Sequence, residues 1–357
     1  MLHADVLIAG AGPAGLTAAL ALRERGLSVS IVASRSQSNS VELVSPHIKS
    51  LLEKVSAEAA LNAETTRPSF GVSAAWGAQQ PRFESSVTNP FGSALAINRS
   101  TFDAALLRLA ADRGVEVIEG TVERVTRADG RLCAEVTCPH QRSLNGRSLV
   151  DATGRRALVA RQLGARRERI DSLSSFSAEF PSAATDRVIH VEACEFGWWY
   201  MTHTHRGTKL VSFFTDAPIA AGLGAAEPTA WFGLLGGTRI AESGAFTQAP
   251  TEIVAQSCNT SMLNQCVGDD WVAVGDAAAV FDPLGSAGVM KAIDSGIRGA
   301  AGLCAQLRGK PELLLEYDSW IRRASTTFLA AQCRHYALER RWPKSRFWAS
   351  RAPQQRA

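Results

Sequence analysis

The sequence predicts an α/β fold in which a Rossmann-like dinucleotide-binding domain is interleaved with an antiparallel β-sheet domain, with helices at the C-terminus. Three observations predict it. A buried strand, a glycine-rich turn and a helix follow one another within the first 25 residues. Short alternating apolar runs mark residues 168–255, which is typical of an antiparallel sheet. The chain beyond residue 310 is helical in pattern and basic.

The first strand, residues 4–9, leads into the turn Gly10-Ala11-Gly12-Pro13-Ala14-Gly15 and then into an Ala- and Leu-rich helix over residues 16–25. Strand, glycine turn and helix in this order form a dinucleotide-binding fingerprint. The first glycine makes the turn, the second lets a pyrophosphate approach the backbone, and the third lets the helix pack on the strand. We therefore expect the N-terminus of the helix to face phosphates.

The second strand is predicted over residues 28–32. In nucleotide-binding folds of this type, an acid usually ends this strand and holds the adenosine ribose. Here Ser34 and Arg35 follow the strand instead. Either Ser34 replaces the acid, or Arg35 stacks on the adenine and binds a phosphate.

The middle of the chain alternates between helix and strand. Residues 36–66 are predicted to form a loop and then an amphipathic helix, and residues 70–97 to form strands with Trp76 among them. A helix is expected over residues 101–113, with Thr101 as its cap. Further strands are expected at residues 115–118, 121–125, 131–137 and 148–150.

The second half begins with the alternating runs, which predict strands at residues 187–191, 197–202 and 209–214. A buried strand over residues 271–275 then ends at Asp276. A loop from Phe281 to Gly288 opens a helix of small residues that continues to about Leu307.

Composition excludes several classes of protein. No apolar run approaches the roughly 18 residues needed to cross a bilayer, and the first apolar stretch belongs to a strand and not to a signal peptide. The seven cysteines are scattered and odd in number, so neither a disulfide framework nor a zinc site is indicated. His203 and His205 share a strand face but lack a third ligand, so a plain strand surface is the better interpretation. We expect a reduced, cytoplasmic protein with no metal site and no membrane contact.

The C-terminal tail is strongly basic. Residues 320–357 hold nine Arg and Lys residues against one acid, Glu339, which makes the tail +8 and the remainder of the +4 chain −4. Such a tail can dock an acidic partner or nucleic acid, or it can be a solvated helix whose arginines cap neighbouring carbonyls. No nucleic-acid motif accompanies the charge, so we favour the second interpretation and expect no nucleic-acid partner.

Four segments agree with one protein family: the glycine turn at 10–15, Asn98–Asp103, Asp151–Arg155, and Gly275–Ala278 followed by Asp282–Gly288. In order and spacing they resemble the flavoprotein monooxygenases of the p-hydroxybenzoate hydroxylase fold. The chain is similar to the branch that holds the tryptophan halogenases and the halogenase-like maturases of tryptophylquinone cofactors. The maturase-type likeness lies in three further motifs, at residues 73–77, 197–200 and 341–348.

The resemblance covers nearly the whole chain and implies that the nucleotide is FAD. It divides the sequence into a discontinuous FAD-binding domain, a substrate domain and a basic helical segment. The expected boundaries are 1–66, 95–167 and 256–310 for FAD binding, 67–94 and 168–255 for the substrate domain, and 311–357 for the C-terminal segment.

The resemblance also implies roles for individual residues. Asp276 is expected to hold the FAD ribityl chain, although it could instead cap a helix, and Arg99 to lie near the flavin and pyrophosphate, although it could form a surface ion pair. Glu42 resembles a flavin-strap motif whose glycine is replaced by Val41. Lys291, just past the flavin loop, is expected to pair with phosphate or at the surface. The expected FAD-binding residues are Gly10, Gly12, Ala14, Gly15, Ser34, Arg35, Glu42, Arg99, Val122, Gly154, Asp276, Pro283, Gly285, Ser286, Ala287 and Gly288.

The chemistry implied is monooxygenation through a C4a-hydroperoxyflavin. Halogenases of this branch need a lysine that would fall around residues 68–85, and none of the six lysines lies there. Their Gly-Trp-x-Trp-x-Ile-Pro motif is also broken, because Tyr200 stands at the second tryptophan. We expect hydroxylation of an electron-rich aromatic, an indole or tryptophan, either free or within a peptide or partner protein. A halogenase, an alkene reductase and a non-catalytic flavoprotein chaperone are the alternatives.

Four aromatic side chains could stack around the substrate: Trp76, Trp198, Trp199 and Tyr200. For any one of them, core packing on the sheet is an equally good interpretation. No acid or base stands out as catalytic, and we assign none. Since no separate nicotinamide domain is apparent, electrons are expected from NAD(P)H docking transiently or from a separate flavin reductase.

Overall fold

The computed structural model describes most of the chain, in two compact units. Residues 2–34, 40–86, 92–128, 130–137, 142–182, 187–204, 207–244 and 246–351 are described. The first unit comprises Met1–Thr66, Ile97–Arg169 and Ser261–Thr326, and the second comprises Arg67–Ala96, Ile170–Thr260 and Thr327–Ala357. Residues 311–357 do not form a unit of their own in this division.

The elements are given in chain order. The strands are β1 (Leu2–Ala9), β2 (Val29–Ala33), β3 (Val41–Val44), β4 (Thr66–Pro68), β5 (Gly71–Ala75), β6 (Arg82–Ser85), β7 (Leu95–Asn98), β8 (Glu116–Glu119), β9 (Thr121–Ala128), β10 (Arg131–Thr137), β11 (Arg142–Asp151), β12 (Arg167–Arg169), β13 (Leu173–Pro181), β14 (Val188–Cys194), β15 (Gly197–His203), β16 (Thr208–Asp216), β17 (Val254–Ser257), β18 (Ser261–Leu263), β19 (Trp271–Ala273) and β20 (Ala279–Val280). The helices are α1 (Pro13–Glu24), α2 (Ile48–Glu53), α3 (Arg99–Asp112), α4 (Leu158–Gln162), α5 (Ala217–Leu223), α6 (Pro228–Gly236), α7 (Arg239–Gly244), α8 (Gly288–Leu307), α9 (Glu312–Tyr336) and α10 (Arg346–Ala349).

The first unit is built on a seven-stranded sheet in the order β8-β2-β1-β11-β10-β9, with β19 also paired to β11. The strands β8, β2, β1, β11 and β19 run parallel, as the predicted strand–turn–helix unit requires. β9 and β10 extend the sheet in antiparallel fashion. Helix α1 packs against α8, and Gly296 on α8 permits the close approach, because a Cβ there would lie 2.3 Å from the Ala14 carbonyl oxygen.

The start of α3 differs from the prediction. The helix begins at Arg99, and the Asn98 side chain caps it by accepting a hydrogen bond from the backbone N–H of Ser100 at 3.2 Å. The expectation that Thr101 caps this helix is therefore wrong, because Thr101 is inside the helix and its hydroxyl donates to the carbonyls of Glu64 and Asn98.

The second unit contains a seven-stranded sheet in the order β17-β13-β16-β15-β14-β5-β6. Its pairs are antiparallel except for β14 with β5, which is parallel. One face packs on α5–α7, with Trp199, Phe213 and Trp231 in the shared core. These three helices were not expected within residues 168–255. Trp76 directly follows β5 and is not part of a strand.

Buried ion pairs anchor the C-terminal segment of the second unit. Arg351 forms a bidentate pair with Asp216, at 2.7 and 2.9 Å, and both side chains are largely buried. Arg341 binds the fully buried carboxylate of Glu339 and donates to the carbonyls of Ala75 and Ala193. Part of the basic tail is thus used in packing within the unit. Among the described residues, no helix has both the length and the apolar character that a membrane span requires.

Replacing Glu339 with glutamine should lower the free energy of unfolding by about 2 to 3 kcal/mol at neutral pH, because it leaves Arg341 without its counter-charge. Burial opposes ionisation of Glu339, but hydrogen bonds from Arg341 and the N–H of Gly77 lower its pKa below the ordinary value of 4.5. A carboxyl with a lowered pKa stabilises the fold above its unfolded pKa and loses that contribution as the pH falls.

Urea unfolding at pH 7 measures the loss of stability, and urea unfolding below pH 4.5, the ordinary pKa of the carboxyl, measures its pH dependence. The difference in the free energy of unfolding between the wild type and the Glu339→Gln variant should be smaller at the lower pH. Glu316→Gln, at an exposed position, is the matched control and should unfold like the wild type. If that difference did not change with pH, the ion-pair explanation would be contradicted.

Candidate active site

The glycine turn between β1 and α1 has the geometry of a phosphate cradle. Gly10 has a left-handed backbone, with φ of +105°, and a Cβ there would lie 2.3 Å from the Ala152 carbonyl oxygen. A Cβ on Gly15 would lie 2.0 Å from the Gly10 carbonyl oxygen. A Cβ on Gly12, in contrast, would meet no protein atom within 4 Å. The outer two glycines are therefore needed for packing, and the middle one faces open space.

The N-terminus of α1 is free to bind an anion. Gly12 occupies the N-cap position, no side chain caps it, and the first turn has no acidic residue. The first N–H groups of a helix have no partner within the helix, and together with the helix dipole they favour negative charge. The 12-residue helix thus points an uncompensated positive end at the space beside Gly12.

A cleft of about 270 Å³ opens beside the turn. Ser34, Val122 and Gly154, each expected from the sequence to contact FAD, line it together with Gly10. The other lining residues are Val32, Gly120, Thr121, Ala152, Thr153, Arg156 and Leu158. Arg35, the proposed adenine or phosphate contact, lies outside the described residues.

Asp276 lies in a short 3-10 turn after β19 and is held by Lys291, which the sequence suggested would pair with phosphate or at the surface. Lys291 Nζ donates to Asp276 Oδ1 at 2.7 Å, and only 5% of the lysine side chain is exposed. Arg155 approaches the other carboxylate oxygen at 3.9 Å. Burial opposes ionisation, but the lysine and arginine charges lower the pKa of Asp276. The carboxylate is thus ionised, while 34% of the side chain stays exposed.

The backbone of the Asp276 turn is fixed separately. Gly275 has φ of +62°, and its N–H donates to Ser295 Oγ at 2.8 Å. Arg167 donates to the carbonyls of Asp276 and Ala277, at 2.9 and 2.6 Å. Sequence reasoning missed Arg167, which lies more than 100 residues away from the turn.

Arg99 is at the centre of a second charged group. Its guanidinium contacts Glu42 Oε1 at 2.5 Å and forms two hydrogen bonds to Asp103, at 3.2 and 2.9 Å. The Arg99 side chain is 16% exposed, so this is not a surface pair. Burial raises the pKa of Asp103 despite the neighbouring arginine. Asp103 was not selected from the sequence, although its position four residues after Arg99 on one helix was a usable signal.

The predicted flavin loop forms a 3-10 turn over Pro283–Gly285 and leads into α8. The buried Asp282 side chain caps the turn by accepting from the Leu284 N–H at 2.8 Å. Ser286 takes a left-handed backbone, with φ of +46°, and Ala287 begins α8 without a side-chain cap. A Cβ on Gly288 would lie 3.9 Å from Glu42 Oε2. The loop and the Glu42–Arg99 pair are therefore neighbours within the first unit.

The four aromatic residues proposed for the substrate are not gathered around one cavity. Trp198 and Trp199 are each 1% exposed and point to opposite faces of the sheet. Trp198 stacks on Phe214 at 3.9 Å, and its indole donates to Tyr336 Oη at 3.0 Å. Trp76 lies on the Trp198 side, with ring centroids 6.5 Å apart.

None of the four lines the 380 Å³ cavity described in the second unit, which has Ser73, His190, Glu192, Arg239 and Glu242 among its walls. For Trp198 and Trp199, burial favours the packing interpretation. Trp76 and Tyr200 are half-buried. Of the two histidines considered as a metal pair, His205 lies outside the described residues.

Comparison with known proteins shows the family to which the chain belongs. The FAD-binding domain profile matches residues 5–45 and the tryptophan halogenase profile matches residues 53–357. LodB of Marinomonas mediterranea, described as an FAD-dependent oxidoreductase, is 28% identical over 97% of this chain and 96% of its own length. A tryptophan 2-halogenase of Chondromyces crocatus is 25% identical over 86% of this chain, which spans 62% of that enzyme.

Solved structures share the fold. The peptidyl tryptophan dihydroxylase QhpG, essential for tryptophylquinone cofactor biogenesis, is 26% identical with a TM-score of 0.83, covering 99% of this chain and 80% of QhpG. The myxobacterial chondrochloren halogenase CndH is 21% identical with a TM-score of 0.85, covering 99% of this chain and 86% of CndH, and this likeness concerns the fold alone. The cofactor is FAD, and the chain belongs to the tryptophan halogenase family of FAD-dependent oxidoreductases.

Proposed function

We propose that this enzyme is an FAD-dependent monooxygenase that hydroxylates the indole ring of tryptophan, with a tryptophan inside a peptide or partner protein as its substrate. The observation that carries the choice of hydroxylation over halogenation is the placement of the lysines. Halogenases that resemble this chain need a lysine in the region of residues 68–85, and here that region, which includes β5 and β6, contains no lysine.

Of the six lysines of the chain, four are exposed and two are buried. Lys49, Lys54, Lys310 and Lys344 are exposed. The two buried lysines already have partners. Lys209 donates to the Gly244 carbonyl and lies over the Phe246 ring, and Lys291 pairs with Asp276. A lysine that carries activated halogen to a substrate has to present its amine to that substrate, and the existing partners of Lys209 and Lys291 argue against that role for either of them.

The first unit has the features that fit FAD. The pyrophosphate would lie beside Gly12 at the N-terminus of α1, because Gly12, unlike Gly10 and Gly15, leaves open space. Asp276 would accept a hydrogen bond from a ribityl hydroxyl, since its carboxylate is ionised and partly exposed. The uncapped start of α8, beside Gly288, would face the electron-rich edge of the flavin. When bound and reduced, FAD supplies the electrons with which oxygen is activated.

The substrate class is supported by the two tryptophan-directed relatives, the 2-halogenase and QhpG. QhpG is a dihydroxylase of peptidyl tryptophan, and this favours a peptide over a free amino acid. We propose a separate flavin reductase as the electron donor, as is usual for flavin-dependent halogenases.

The experiment uses the purified protein with FAD, a flavin reductase, NADH, isotopically labelled oxygen and bromide, over indoles and tryptophan-containing peptides. Monooxygenation predicts a product heavier by one labelled oxygen atom, in equal yield with and without bromide. A brominated product would overturn the proposal and establish halogenation. Turnover of free indoles but not of peptides would overturn the peptide assignment alone.

A further inference from the structure

Lys291 is a buried cation that makes two hydrogen bonds and one cation–π contact inside the first unit. It lies on the first turn of α8, and its side chain is 5% exposed. Its ammonium donates to Asp276 Oδ1 and to the Ala279 carbonyl, and it lies 4.7 Å from the centre of the Phe281 ring. A carboxylate, a carbonyl and an aromatic face together satisfy an ammonium.

Such an ion pair is not explained by stability alone. Removing a lysine from water costs free energy, and replacing a buried ion pair by apolar residues is often neutral or stabilising. The backbone of the Asp276 turn is already fixed by Arg167 and Ser295. Those residues do not hold the Asp276 side chain, whose Oδ1 is bound by Lys291 at 2.7 Å while Oδ2 lies 3.9 Å from Arg155, outside hydrogen-bond distance.

We propose that Lys291 is a positioning residue of the FAD site: it holds one carboxylate oxygen of Asp276 so that the other is presented to a hydroxyl of the FAD ribityl chain. The inference rests on the proposed role of Asp276. Fixing the carboxylate before binding removes the entropy cost of ordering it when FAD arrives. The partial exposure of Asp276, against the burial of Lys291, means that FAD reaches the carboxylate and not the ammonium.

The test is a double-mutant cycle with Lys291→Met, Asp276→Asn and the pair together. The dissociation constant for FAD is measured by flavin fluorescence on the full-length protein, and stability by urea unfolding. Each single variant should bind FAD about 10-fold more weakly, and the double variant no more weakly than Asp276→Asn alone, because both changes act through one carboxylate. Lys310→Met, an exposed lysine beyond the end of α8, should bind FAD like the wild type.

Each other outcome overturns a different statement. If Lys291→Met lowers stability but leaves FAD affinity unchanged, the lysine is structural and the inference is wrong. If the two effects multiply in the double variant, Lys291 does not act through Asp276 and the inference is wrong. If Asp276→Asn binds FAD normally, the proposed role of Asp276 fails first. Lys291→Gln, which keeps a donor without the charge, replaces the methionine variant if that one does not fold, and should fall between it and the wild type.

Discussion

Replacing Gly12 with valine should weaken FAD binding by at least about 100-fold while the protein stays folded. The backbone of Gly12 has φ of −82° and ψ of −178°, an extended conformation that valine adopts without strain. A Cβ there meets no protein atom within 4 Å, so the free energy of unfolding should change by no more than about 1 kcal/mol. The branched side chain would instead occupy the space in which a pyrophosphate approaches the N-terminus of α1.

The measurement is a titration with FAD followed by flavin fluorescence, together with urea unfolding of the same preparations. Gly15→Val is the matched control, because its Cβ would lie 2.0 Å from a backbone oxygen and should lower the free energy of unfolding by about 3 kcal/mol or more. The Gly12→Val variant thus tests access of FAD to the turn, and the Gly15→Val variant tests packing of the helix on the turn. Normal FAD affinity in a folded Gly12→Val protein would mean that the phosphates bind elsewhere.

The strand, turn and helix around Gly12 are predictable because their signals are local. Alternation, glycine spacing and helical pattern lie within 25 consecutive residues, and the structure differs from the prediction mainly at the ends. Helix α1 begins at Pro13, three residues before the predicted start at residue 16. Proline has the backbone angle of a first helical residue and needs no hydrogen bond there.

The partners that complete the site are not predictable in the same way. Arg167 reaches Asp276 across more than 100 residues, and Lys291 reaches it through the packing of α8 beside the strand end. No periodicity in a single sequence encodes such pairings. The sequence predicted a role for Asp276 but placed Lys291 at a phosphate or at the surface, whereas the structure shows a buried lysine paired with the partly exposed Asp276.

The helices α5–α7 show a different kind of omission. Pro218 and Pro228 stand in the first turns of α5 and α6, and Gly224 follows α5 in a left-handed conformation with φ of +66°. These start and stop signals were present in the sequence. The three helices are short and lie between strands. The alternating pattern of those strands therefore led to the prediction of an antiparallel sheet for all of residues 168–255.

Trp199→Ala should lower the free energy of unfolding by about 4 kcal/mol, as expected for deleting a fully buried indole. The ring stacks on Phe213, with centroids 4.7 Å apart, and meets Trp231 edge-on at 5.1 Å, inside the core between the sheet and α5–α7. The neighbours are large rings held by strands and helices, so they cannot collapse into the space. Urea unfolding measures the loss, and a loss below about 1 kcal/mol would contradict the packing assignment.

Tyr200→Phe distinguishes packing from substrate contact one residue further along β15. Successive residues of a strand face opposite sides, so Tyr200 points away from the Trp199 core and is only half-buried. Removing one hydroxyl there should cost about 1 kcal/mol of stability or less. If Tyr200 contacts the indole, as the sequence suggests, this variant changes KM or kcat for a tryptophan peptide at near-normal stability. Unchanged kinetics would remove Tyr200 from the substrate site and leave Trp76 as the one half-buried candidate among the four aromatics.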